Sequence, residues 1–141
     1  MNAKEYLKQI ELLETKIRQK EEHLECLRAT AGGSAAIRYD KLNVQITVAP
    51  DIMERNVLNL VELEDKIFQD KLRMEHLKDK IIDEIQSLDD ERYVNLLYRR
   101  YIKHQKFEQI ALDMSYDYDY IRVLHGEALG TFETQILHNH T

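Results

Sequence analysis

Three residues, Ser115, Tyr116 and Asp117, are all that separate two apolar sets of helical spacing, and nothing else in the 141-residue chain restricts its folding as closely. Before them stand Phe107, Ile110, Ala111 and Met114; after them come Ile121, Leu124, Ala128, Leu129 and Phe132. Apolar residues at steps of three and four line one face of a helix. A linker this short permits only a tight turn, so the two helices must cross steeply and bury their faces in one core. A preceding set, Val94, Leu97, Tyr98 and Tyr101, ends at the polar run 103–106 and supplies a further helix to that core. Asp117 stands where it would cap the last helix.

The rest of the chain favours long solvated helices. Charged residues make up 33%, and there are four Gly, one Pro and no Trp, a composition unlike that of a compact mixed fold. From residue 3 to about 29, Tyr6, Ile10, Leu13, Ile17, Leu24 and Leu27 fall at alternating steps of three and four, a heptad seam. A helix of that length reaches about 40 Å at 1.5 Å per residue, too long for the C-terminal module alone to cover. It needs a second long helix. Gly32 and Gly33 end it, and a connector over residues 30–50 follows. Residues 42–48 (LNVQITV) alternate apolar and polar in the manner of a strand. A lone strand leaves its backbone unpaired, so it either pairs with its copy in another subunit or lies as an extended connector against the helices. Pro50 and Asp51 open the next helix, where Asp51 and Glu54 have capping-box spacing. That helix, over residues 51–86, carries Met53, Val57, Leu60, Leu63, Ile67, Met74, Leu77, Ile81 and Ile85, a stripe that Leu88 continues just past its end and that Val61 and Phe68 broaden.

The expected fold is therefore all-α. A long antiparallel helical hairpin or coiled-coil arm (residues 1–88) precedes a helix-turn-helix domain (89–137) and a short tail (138–141). The seam residues Ile10, Leu13, Ile17, Leu24, Leu27, Leu60, Leu63, Ile67, Met74, Leu77 and Ile81 are the oligomerisation candidates, within one chain or between copies.

A helix-turn-helix places the N-terminal turns of its second helix against base edges in the major groove. The candidates for that contact, on a helix spanning 118–132, are Tyr118, Asp119, Arg122, Val123 and Gly126. Arg122 carries the most chemistry, since a guanidinium can donate two hydrogen bonds to guanine O6 and N7. Arg99, Arg100, Lys103 and Lys106 fall within eight positions and are candidates for phosphate contacts, which position a module without reading sequence; the plainer reading is a solvated helix end. The net charge is −6, which speaks against binding by bulk electrostatics alone. Asp119 would oppose phosphates unless it accepts from cytosine N4 or pairs with Arg122.

No catalytic chemistry is expected. There is neither a Gly-rich phosphate loop nor a nucleophile motif. His138 and His140 lack further ligands at metal spacing, and His125 is placed on the inner side of its helix, for packing or a hydrogen bond. No cofactor, metal or small-molecule substrate is expected. Cys26 stands alone, so no disulfide forms within the chain, and no apolar run suggests a membrane span. A charged N-terminus without a signal-peptide core points to the cytoplasm.

The motif EQIA (Glu108, Gln109, Ile110, Ala111) and the pair Ala128-Leu129 resemble the helix-turn-helix of sigma-70 region 4. LLYRRYI over 96–102 and LHGEAL over 124–129 resemble, more narrowly, small transcription regulators of the ArpU and RinA type from Gram-positive phages and prophages. The wider layout, with a YDKLNVQITVAPD segment at 39–51 between two helices, fits the same group. The DYDY run at 117–120 departs from it, where relatives carry basic or small polar residues. The resemblance implies a regulator of late phage genes in a bacterial host cell that binds double-stranded promoter DNA, with contact to RNA polymerase; the helical seams add the expectation of a homo-oligomer. The rival expectation is a coiled-coil adaptor whose helix-turn-helix holds a protein, by way of Tyr116, Tyr118 and Tyr120, instead of DNA.

Overall fold

The computed structural model describes residues 1–30 and 50–138. The alternating segment 42–48 and the histidine of the tail at position 140 lie outside the described residues. Among the described residues every regular element is a helix and none is a strand.

The helices are α1 (Ala3–Leu7), α2 (Gln9–Arg28), α3 (Pro50–Gln86), α4 (Glu91–Leu97), α5 (Phe107–Met114) and α6 (Tyr118–Phe132). Asn2 caps α1 by accepting from the Glu5 N–H at 2.8 Å. The backbone ladder continues through Lys8, whose N–H reaches the Lys4 carbonyl and whose own carbonyl accepts from Leu12. Thus α1 and α2 behave almost as the one helix expected. Asp90 caps α4, accepting from the Arg92 N–H at 2.9 Å. Two segments, Tyr98–Ile102 and Glu133–Leu137, widen into π-helical turns, closed by Lys103 N–H to Tyr98 and His138 N–H to Glu133.

The chain divides into two compact units, and the division differs from a cut near residue 88: one unit comprises Met1–Leu13 with Met74–Thr141, the other Glu14–Arg73. The reason is apolar. Ala3, Leu7 and Ile10 share a core with Ile81, Ile85, Leu88, Leu97, Tyr101, Ala128, Phe132 and Ile136. The first helix thus closes on the end of α3 and on the helices that follow it. The Tyr6 ring lies 5.9 Å from that of Phe132, and its hydroxyl donates to Glu84. A second cluster, Leu96, Ile110, Ala111, Ile121 and Leu124, ties α4, α5 and α6 together.

In the other unit α2 and α3 pair in an antiparallel sense. Leu24 packs with Leu63 and Ile67, flanked by Leu27 and Leu60. Ion pairs follow the same register: Lys20 with Asp70, Glu21 with Lys71 at 3.6 Å, and Arg28 with Glu64 at 3.1 Å. Asp70 is only 5% exposed. A carboxylate so buried is costly unless paired; Arg73 pairs with it from the same helix whatever the register, whereas the bond to Lys20 on α2 is made only in the register observed.

The oligomerisation candidates are placed within this one chain. Ile10, Ile17, Leu24, Leu63, Ile67 and Ile81 are buried, and Leu13, Leu27, Leu60, Met74 and Leu77 are partly buried. No described helix is long and apolar enough to cross a membrane.

Candidate nucleic-acid interface

The turn between α5 and α6 is built on Ser115, held in the left-handed region at φ 60°, ψ 42°. Its N–H reaches the Leu112 carbonyl at 3.3 Å, and the next N–H, of Tyr116, reaches Ala111 at 2.9 Å. These two bonds make a Schellman closure, which usually places Gly at the left-handed residue. Asp117 then occupies the N-cap position of α6 in extended backbone, but its side chain makes no capping hydrogen bond. The expected cap is present in position and absent in chemistry.

Every third or fourth residue of α6, namely Ile121, Leu124, Ala128 and Phe132, is buried. At 100° per residue the opposite face carries Asp119, Arg122, Val123, Gly126 and Gly130, and all five are exposed. Tyr118 is exposed at its edge, and Val123 is 59% open. A Cβ added at Gly126 or Gly130 would meet nothing within 4 Å. Glycine costs about 1 kcal/mol against alanine in a helix interior, and no neighbour among the described residues requires it here. Gly126 is among the residues expected from sequence to make contact; Gly130 is not, although its four-residue step from Gly126 is the available signal. Arg122 lies over the Tyr118 ring, 5.9 Å from its centroid, and does not form the pair with Asp119 that is one of the two uses expected of that carboxylate.

The basic group divides. Arg99 binds Asp113 at 3.1 Å. Arg100 donates to the Gln105 carbonyl at 3.1 Å and stacks 4.1 Å over Phe107. Both are partly buried and engaged in holding the segment before α5. Lys103 and Lys106 are exposed and form no ion pair among the described residues. Arg92, to which sequence reasoning assigns no role, donates to the Tyr120 hydroxyl at 2.7 Å and to Asp90, linking the start of α4 to α6. This pairing holds the Asp90 carboxyl below its ordinary pKa.

Beneath this surface lies a packed His–Tyr pair. His125 Nε2 and the Tyr101 hydroxyl are 2.7 Å apart, and Phe107 meets the imidazole edge-on at 4.9 Å. Burial, with Arg100, Lys4 and Lys8 nearby, lowers the His125 pKa from 6.5 to about 4, and burial pushes Tyr101 up to about 12. Both groups are neutral near pH 7. A neutral imidazole inside a hydrogen-bonded core is a packing element, as its position on the inner side of α6 implied.

An apolar fringe borders the outer face. Leu112 is 74% exposed, the rings of Tyr116 and Tyr120 meet at 4.8 Å, and Tyr118 is 39% exposed. Among the described residues no three His, Cys, Asp or Glu side chains gather as a metal site. Comparison of the chain with protein-family models, with curated proteins and with solved structures gives no match.

Proposed function

We propose that the chain is a sequence-specific DNA-binding transcription regulator of the phage and prophage type, in which α5 and α6 form a sigma-70 region 4-like helix-turn-helix and α6 reads the major groove. The observation that supports this best is the outer face of α6. Asp119, Arg122, Val123 and Gly126 are exposed together, opposite the buried stripe, and the two glycines leave the face bare enough for a close approach. In this reading Arg122 donates to a guanine edge, and Lys103 and Lys106 contact phosphate. Arg99 and Arg100 act indirectly, by shaping the segment that carries those lysines. The antiparallel α2–α3 pair serves as a hairpin arm through which copies of the chain assemble. Contact with RNA polymerase and residence in a bacterial cytoplasm belong to the same reading and rest on the family resemblance.

A second reading is favoured by the exposed fringe of Leu112, Tyr116, Tyr118 and Tyr120. Exposed aromatic and aliphatic side chains are enriched where proteins meet, and an acidic chain of net charge −6 gains little from polyanions at long range. Here the module is an adaptor that holds a protein.

Binding-site selection from a random duplex pool, with the wild-type protein and with Arg122→Ala, separates the two. A recovered motif that loses definition at one or two positions in the variant is the expected result. No enrichment from either protein at low salt would favour the adaptor.

A further inference from the structure

Within the unit Glu14–Arg73, α3 carries a second apolar stripe that α2 does not cover. Met53, Val57, Val61, Phe68 and Leu72 are each between 43% and 59% exposed, whereas Leu63 and Ile67, on the adjoining face, are buried against α2. With Glu64 the exposed positions run 53, 57, 61, 64, 68, 72, in steps of four, four, three, four and four. Steps of this kind keep to one face of a helix. The series also reads the same in both directions.

We propose that this stripe is the contact between two copies of the chain, packed α3 against α3 in an antiparallel sense about a two-fold axis near residues 62 and 63. A two-fold contact pairs residue i with j and j with i. The axis sets Met53 opposite Leu72 of the second copy, Val57 opposite Phe68, and Val61 opposite Glu64. Each large side chain then meets a smaller or flexible one. The central Glu64 already has its countercharge in Arg28, at 3.1 Å.

Area supports a copy rather than solvent as the occupant. Side chains of this size, about half open, leave on the order of 100 Å² each, so the five present roughly 500 Å² per chain, near the limit that a monomer ordinarily exposes. Doubled, this is about 1,000 Å² before flanking residues are counted, the threshold of a specific interface. The inference deepens the assembly part of the reading above and does not depend on DNA binding.

The test is mass by light scattering, without DNA, for the wild type and for Val61→Glu with Phe68→Glu. The wild type should have twice the chain mass and the variant half of that, with unchanged helical circular dichroism. A second measurement does not rely on the variant folding. In a Cys26→Ser background, Val61→Cys should cross-link between copies through a short reagent. Met53→Cys should not, because an antiparallel pairing puts the two copies of position 53 about 28 Å apart along the helix. Cross-linking at both positions would mean a parallel pairing and overturn the proposal. A dimer insensitive to the glutamates would reject this face while leaving assembly intact. A monomeric wild type would reject assembly through the arm, and site selection would still report separately on DNA reading.

Discussion

His125 shows how one residue can couple the core of the C-terminal helices to pH. Its imidazole is kept neutral chiefly by burial, and its pKa falls to about 4 from the ordinary 6.5. In the unfolded chain the same group takes a proton below about 6.5. Stability from this site is therefore complete above pH 6.5 and is lost as pH falls toward 4. Each tenfold change in proton affinity is worth about 1.4 kcal/mol. With some screening by solvent, since the ring is only partly enclosed, the loss at pH 4.5 comes to about 2 kcal/mol. Urea unfolding of the wild type and of His125→Gln, at pH 7 and pH 4.5, should show the wild type losing about that much more than the variant. Parallel losses would mean that carboxylates alone set the acid sensitivity. The sequence placed His125 on the inner side of its helix, because the step from Ile121 is four residues. It could not show Tyr101 as the partner, because that contact crosses between elements with no common periodicity.

At the scale of the elements, the helix spans were legible, and so were the antiparallel pairing of α2 with α3 and the core shared by α5 and α6; the packing of the first helix against the helices after α3 was not. The span 118–132 was recoverable because its apolar steps are regular and a three-residue linker fixes its start. The π-helical turns at Tyr98–Ile102 and Glu133–Leu137 escaped, since one extra residue per turn only shifts the phase of a stripe. In the first helix the pattern pointed to Tyr6, which proves partly buried, while Ala3 and Leu7 are the residues enclosed. A stripe marks a face without saying what will cover it. Adjacent cations behave likewise: Arg99 and Arg100 read the same as Lys103 and Lys106 until Asp113, Gln105 and Phe107 are brought up to them. The bare face of α6 gives the sharpest test at this scale. Gly126→Ala and Gly130→Ala introduce methyl groups into open space and should each stabilise the helix, by up to about 1 kcal/mol, seen as a rise of a few degrees in Tm. If that face docks on DNA, the same substitutions should weaken binding in a duplex titration. Greater stability with unchanged affinity would show that the face makes no close contact.

For the whole molecule the difficulty is charge. A chain of net charge −6 gains nothing on DNA from its general field, so under the proposed DNA-binding function affinity has to come from a few placed cations, used more than once if two copies bind together. Counterion release makes this countable: each phosphate contact contributes about 0.9 to the slope of log K against log salt on duplex DNA. Lys103→Ala and Lys106→Ala should each flatten the slope by about one per copy bound and weaken all sequences alike. Arg99→Ala and Arg100→Ala should leave the slope nearly unchanged and lower Tm instead, because their guanidinium groups are engaged with Asp113, Gln105 and Phe107. Arg122→Ala should change the preferred sequence more than the slope. A two-fold dimer would further require half-sites about 34 Å apart or a multiple of it, so the selected motif should be a spaced inverted repeat. Equal slopes for the wild type and both lysine variants would remove phosphate contact from these positions, and with it the electrostatic basis for a DNA-binding role. The tyrosine fringe would then be the surface to pursue.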